Sequence, residues 1–143
     1  MFKDILLALD LTHEESWDKA LPIAVDLTRA GGGTLRVFSI VPDFGMTIVR
    51  DFFPKNFEED ALRHAKEQLA ELAAQNIPDG VDYTVHIGHG SIPERIMAKA
   101  AELGVDLIVM SAHHPDHHRE LRVGSHADRI ARRSPVSVLV VRD

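Results

Sequence analysis

The chain has 143 residues, 45% hydrophobic and 27% charged, the balance of a soluble globular domain long enough to bury a core. Its formal net charge of −6 disfavours attraction to a polyanion over the whole surface, so nucleic acid is not an expected partner, although a small anion at one site remains allowed. It has no cysteine, which excludes disulfides, thiolate metal sites and a cysteine nucleophile.

In chain order, Ile5, Leu6, Leu7, Ala8 and Leu9 form a continuous aliphatic run, as in a strand buried on both faces. That run is too brief for a signal peptide, and no stretch approaches the roughly 20 apolar residues of a membrane span. The expected setting is the cytoplasm, without membrane insertion. Thr12 and Glu15 have the spacing of a capping box opening a helix, along which Trp17, Ala20, Leu21, Ala24 and Leu27 make one apolar stripe. Gly31, Gly32 and Gly33 end it.

A second strand is expected over residues 34–41, followed by a mixed connection over 42–55. Asn56 and Glu59 open a long helix with Phe57, Ala61, Leu62, Ala65, Leu69 and Leu72 on its inner face. Residues 81–87 alternate as an edge strand would, and 88–90 read as a turn. Ser91 and Glu94 repeat the capping-box spacing, Pro93 is tolerated in the first turn, and Ile96, Ala100 and Leu103 form that helix's buried stripe. Residues 105–110 read as a fourth strand, 111–123 as a polar loop, 124–133 as a short helix and 136–141 as a last aliphatic strand. This β-α alternation with helical crossovers builds an α/β fold of three layers, a parallel sheet between two layers of helices. Nothing marks a domain boundary, so 1–143 read as a single domain.

In such a sheet ligands bind beyond the carboxyl ends of the strands, where the strand order reverses. Two places there are unusual. Asp10 ends an apolar strand, and Gly124-Ser125 precedes a helix, whose first amides lack intrahelical partners and favour an anion. Each also has a plain reading, since aspartate caps turns and Gly-Ser caps helices.

The opening Ile5-Leu-Leu-Ala-Leu-Asp-Leu-Thr12 resembles the universal stress protein family. So do Gly90-Ser-Ile-Pro-Glu-Arg-Ile96, Leu107-Ile-Val-Met-Ser-Ala-His-His114, Gly124-Ser125 and Ser134-Pro-Val-Ser-Val-Leu-Val-Val-Arg142. The resemblance covers the whole chain and implies a Rossmann-like, five-stranded sheet in the order 3-2-1-4-5. Family members that bind ATP carry Gly-x-x-Gly, nine residues, then Gly-Ser or Gly-Thr. This chain keeps the spacing and Gly124-Ser125, but has Ser111 and His114 in place of the first two glycines. If those positions required positive φ, each side chain would cost about 1–2 kcal/mol. Ser111 instead offers a hydroxyl to a phosphate or ribose, and His114-Pro115-Asp116 resembles a subgroup with a Pro-Asp loop.

The resemblance implies an adenine nucleotide, ATP or AMP, with or without Mg²⁺. Its base would lie among Asp10, Val41 and Met110, against Ala8 and Leu9, with Thr12 nearby. Ser111, His113 and the Gly124, Ser125 and His126 amides would face ribose and phosphates. Val41 and Met110 have a plain reading as core. His113, His114, His117 and His118 fall within six residues and are candidate metal ligands, although adjacent loop histidines lack the spacing of a preformed site. His13, His64, His86 and His89 receive no assignment. There is no Gly-x-Ser-x-Gly elbow and no Walker loop, so catalysis reduces at most to slow ATP hydrolysis.

The strand from Val136 to Val141, if it lies at a sheet edge, invites two-fold pairing with its copy and hence a homodimer. Three readings therefore stand: a nucleotide-binding regulatory dimer acting on another protein in the stress response, a nucleotide-free interaction module, and a metal-responsive or slowly ATP-hydrolysing protein.

Overall fold

Strand β1 (Asp4–Leu9) is aliphatic along nearly its whole length and is the middle strand of the sheet. The computed structural model describes residues 2–41, 57–112 and 125–142. Within them β2 (Thr34–Val41), β3 (Asp82–His89), β4 (Leu107–Ser111) and β5 (Ser137–Val141) join β1 in one parallel sheet of order β3-β2-β1-β4-β5. The order expected from the family resemblance is the observed one, and the fold is Rossmann-like α/β. Leu7 pairs with Val37 on one side and Val109 on the other, so its backbone is satisfied from both neighbours.

Side-chain alternation on β1 divides the core in two. Ile5, Leu7 and Leu9 pack with α1 (Ala20–Gly31) and α2 (Phe57–Asn76) through Leu21, Ala24, Leu69 and Ala73. Leu6 and Ala8 face α3 (Ile92–Leu103) and α4 (Ser125–Arg133) through Ile96, Ala100, Ala127 and Ile130. Both faces of β1 are thus covered, which is why its sequence is a run and not an alternation.

Several boundaries differ from the sequence reading. Thr12 and Glu15 open no α-helix. A 3-10 turn occupies Glu14–Ser16, and its N-cap residue, His13, makes no side-chain capping bond. Thr12 donates its hydroxyl to Asp10 instead, because the carboxylate two residues earlier is the nearer and stronger acceptor. Helix α1 starts only at Ala20, so Trp17 precedes it. Ser91 does hold the N-cap position of α3, yet its hydroxyl meets the Glu94 carboxylate and no backbone amide. Strand β3 runs through Gly88 and His89, which pair with Ile40 and Val41, so the expected turn at 88–90 shrinks to Gly90. Strand β4 begins at Leu107, after Asp106, whose carboxylate accepts the Lys3 amide at 3.0 Å. The connection at 42–55, Asn56 and most of the loop at 111–123 lie outside the described residues.

The α3 side of β2 and β3 carries a polar row. Arg36 Nη1 donates to Thr84 Oγ1 at 3.1 Å, and Thr84 Oγ1 lies 2.7 Å from His86 Nε2. A hydroxyl has one proton and two lone pairs, so Thr84 accepts from the guanidinium and still has its proton to give to an unprotonated His86 Nε2. Burial, then Lys99, Arg36 and Lys66, hold the His86 imidazole below its usual range against a smaller opposing pull from Glu102. A depressed folded value means that this stability is present above the unfolded value of about 6.5 and is lost as pH falls through the folded one. In urea unfolding between pH 7.5 and pH 5, His86→Gln is expected to lose less stability than the wild type. Parallel profiles would contradict the assignment.

Candidate functional site

Strand β1 passes the chain to β2 on one side, while α3 carries it from β3 across to β4 on the other. The strand order reverses between β1 and β4, so the carboxyl ends of these strands diverge into a crevice. A cavity of about 680 Å³ occupies that crevice, within the usual range for small-molecule sites.

Ala8 and Phe38 lie at its base, and Ile40 and Val41 form the β2 wall. Met110 and Ser111 come from β4 and Ile92 and Ile96 from α3, while Ser125, His126 and Ala127, the first three residues of α4, stand on the far side. Their position matters chemically, since the first amides of a helix have no intrahelical acceptor and sit at the positive end of its dipole. Gly88 keeps the base of the cavity in shape. A Cβ there would come to 3.0 Å from Phe38 Cζ, so the ring, which lines the cavity, would have to shift.

The β1 rim is a closed hydrogen-bonded turn. Asp10 Oδ1 accepts the Thr12 amide at 2.9 Å and the Thr12 hydroxyl at 2.7 Å. Asp10 Oδ2 lies 2.9 Å from His13 Nδ1. Ser16 Oγ accepts the Asp10 amide at 2.8 Å, and the His13 amide reaches back to the Asp10 carbonyl at 3.1 Å. Burial pushes the Asp10 carboxyl up, but the Thr12 hydroxyl and amide and the His13 ring together outweigh it, and the net shift is down. The rim therefore carries a fixed negative charge with room for about one more donor, since a carboxylate offers about four acceptor positions.

Of the residues singled out from the sequence, Ala8, Leu9, Asp10, Thr12, Val41, Met110, Ser111, Ser125 and His126 all line this one cavity. His113 and Gly124 lie outside the described residues, as do His114, His117 and His118. No group of three or more metal-ligating side chains occurs among the described residues. Ser111 continues β4, pairs with Val141 and has no positive φ, so the strain considered for a side chain at that position does not arise. Its hydroxyl donates to the Glu15 carbonyl at 3.3 Å, tying β4 to the turn that follows β1.

The sequence reading missed His13, Ser16, His64 and Gln68, all of which line the cavity. His64 and Gln68 are one turn apart on the exposed side of α2, beside Ala61 and Ala65. His13 had a local signal in its spacing from Asp10, whereas His64 and Gln68 had none.

The universal stress protein family model matches residues 1–142. Universal stress protein G of Escherichia coli O157:H7 is 28% identical over 144 residues, spanning 99% of this chain and 100% of its own. Universal stress protein UspA from Lactobacillus plantarum has a similar structure, with a TM-score of 0.78 at 20% identity over 98% of this chain and 97% of that one. A universal stress protein in complex with cAMP gives 0.63 at 22%, over 99% and 97%. The universal stress protein from Archaeoglobus fulgidus in complex with dAMP gives 0.62 at 19%, over 98% of each chain.

Proposed function

The chain belongs to the universal stress protein family, and from that premise we propose that it binds an adenine nucleotide, ATP or AMP, and acts as a regulatory homodimer. One observation carries the reading: a largely apolar cavity at the β1–β4 switch point lies between an ionised carboxylate at Asp10 and the amino end of α4. A purine monophosphate has that polarity, an amine or hydroxyl to give at one end, a flat ring between and an anion at the other. Relatives of the same fold in complex with cAMP and dAMP support it.

In this assignment the base lies against Ala8, Leu9, Val41 and Met110, and Asp10 accepts from the base or ribose. The Thr12 hydroxyl is committed to holding Asp10 in place. The amides of Ser125 and His126, together with Gly124, His113 and Ser111, serve the phosphates and ribose. Mg²⁺, where present, neutralises a polyphosphate and is not needed for AMP.

Among the described residues, β5 is the edge strand of the sheet on the β4 side, with Ser137 exposed and Val138, Leu139 and Val140 only partly buried. Pairing with its copy would satisfy the edge amides and cover that surface. Light scattering after size exclusion is expected to give twice the 15.9 kDa chain mass, and a clean monomer would remove the dimer. Protein purified without an affinity tag and denatured in acid is expected to release an adenine nucleotide. If it releases none and later binds none, what stands is a nucleotide-free interaction module of the same fold.

A further inference from the structure

Ser39 is a buried polar residue whose side chain the fold itself does not use. It is 4% exposed and pairs along β2 with Leu9 and Ile87. Among the described residues its hydroxyl has no hydrogen-bond partner. Buried hydroxyls are nearly always bonded, so one that is not calls for an explanation. Alternation from Val37 turns Ser39 to the α2 side of the sheet, where it lines the cavity. From α2 itself, His64 and Gln68 line the same cavity, and neither has a hydrogen-bond or ion-pair partner among the described residues. Three polar side chains from two elements are thus turned to the α2 side of the cavity, beside the apolar Leu9, Val41 and Ala65.

The strand order says which part of a nucleotide reaches them. The carboxyl ends of β4, β1 and β2 stand in a row, with neighbours about 4.8 Å apart, so the row is roughly 10 Å long. Helix α4 packs against β5, beyond β4. A nucleotide whose phosphate sits at the amino end of α4 therefore brings its ribose to Asp10 on β1 and its base to the end of β2.

We propose that Ser39, with His64 and Gln68 of α2, reads the edge of the bound base. The Ser39 hydroxyl and the Gln68 carboxamide both donate and accept, as does a neutral imidazole, so they match the ring nitrogens and exocyclic amine of a purine. The inference rests on the nucleotide reading above and adds a base-recognising subsite to it. A ligand without a hydrogen-bonding base leaves these groups unpaired, and the site selects a nucleobase over a plain sugar phosphate for that reason.

The experiment is calorimetry with AMP on the wild type, on Ser39→Ala and on the double variant His64→Ala/Gln68→Ala. His64 and Gln68 are exposed on a helix and alanine is a good helix former, so the double variant keeps its fold. Each is expected to bind AMP about three- to tenfold more weakly than the wild type. In urea, ligand-free Ser39→Ala is expected to unfold at the wild-type midpoint or above it, because no bond within the fold is lost. An AMP affinity unchanged in either variant overturns the subsite, as does a lower urea midpoint for Ser39→Ala, which would make the hydroxyl structural. A wild type that binds no AMP overturns the nucleotide reading and takes this inference with it.

The wild-type complex gives a readout that needs no variant. Nuclear Overhauser effects are expected from adenine H2 or H8 to the Ser39 β protons and the Gln68 side-chain amide. Effects from ribose protons alone, or from no ligand proton at saturating AMP, overturn the proposal.

Discussion

Gly33→Ala is expected to destabilise the protein by about 3 kcal/mol, the upper end of what overpacking costs, because the obstacle is backbone. A Cβ on Gly33 would overlap the Lys3 carbonyl oxygen outright. That oxygen cannot step aside, since it accepts the Thr34 amide at 2.9 Å at the point where β2 joins β1. Either the first β1–β2 pair opens or the end of α1 lifts off the sheet. Gly31 faces the Phe2 carbonyl in the same way. Gly32 differs, because its surroundings are open and its φ of 67° is the reason for glycine there. The order of effects is therefore Gly33→Ala and Gly31→Ala large, and Gly32→Ala about 1–2 kcal/mol. Urea unfolding measures it. A Gly33→Ala protein as stable as wild type would mean that β1 and the α1–β2 turn do not approach as described.

Asp10→Ala is expected to weaken AMP binding by at least about tenfold. Hydrogen bonds to a charged group contribute about 1.5–3 kcal/mol, and this carboxylate also orients the rim. Its removal takes away the shared acceptor of the Thr12 hydroxyl and amide and the carboxylate contact of His13, so the β1 edge of the cavity loses its shape together with its charge. Asp10→Asn separates the two effects, because an amide oxygen still serves Thr12 while an amide nitrogen opposes His13 Nδ1–H.

A pH dependence follows from the same turn. The folded carboxyl lies below its usual value of 3.8, so its stabilising contribution is present above about 3.8 and is lost as pH falls through the lower folded value. Asp10→Asn should flatten that part of the acid-unfolding profile. An Asp10→Ala protein that binds AMP as wild type does would remove the carboxylate from the site.

Much of this was legible because burial on both sides leaves a plain mark. Leu6 and Leu7 point to opposite cores, as a strand covered on both faces requires, and the run from Ile5 to Leu9 shows it. Asp10 and Ser125 were legible through topology, since strand ends and helix starts at a switch point gather whatever is polar there. The capping boxes misled because Thr-x-x-Glu and Ser-x-x-Glu fix only residue types. Thr12 found a carboxylate two residues back, and Ser91 found the Glu94 side chain directly. His64 and Gln68 were illegible for another reason. On α2 they read as a solvated face, and only the packing of α2 over the end of β2 turns that face into a cavity wall. His13 is intermediate, since its distance from Asp10 in sequence suits a turn, but only coordinates show the ring closing on the carboxylate.

The most direct test of the central claim is a titration of ¹⁵N-labelled protein with AMP, followed residue by residue in the amide spectrum. The predicted result is saturable shifts concentrated at Asp10 to His13, Val41, Met110, Ser111 and Ser125 to Ala127, with the β3 edge around Tyr83 unmoved. Saturable shifts confined to another surface, or none at millimolar AMP, would contradict a nucleotide site at the β1–β4 switch point.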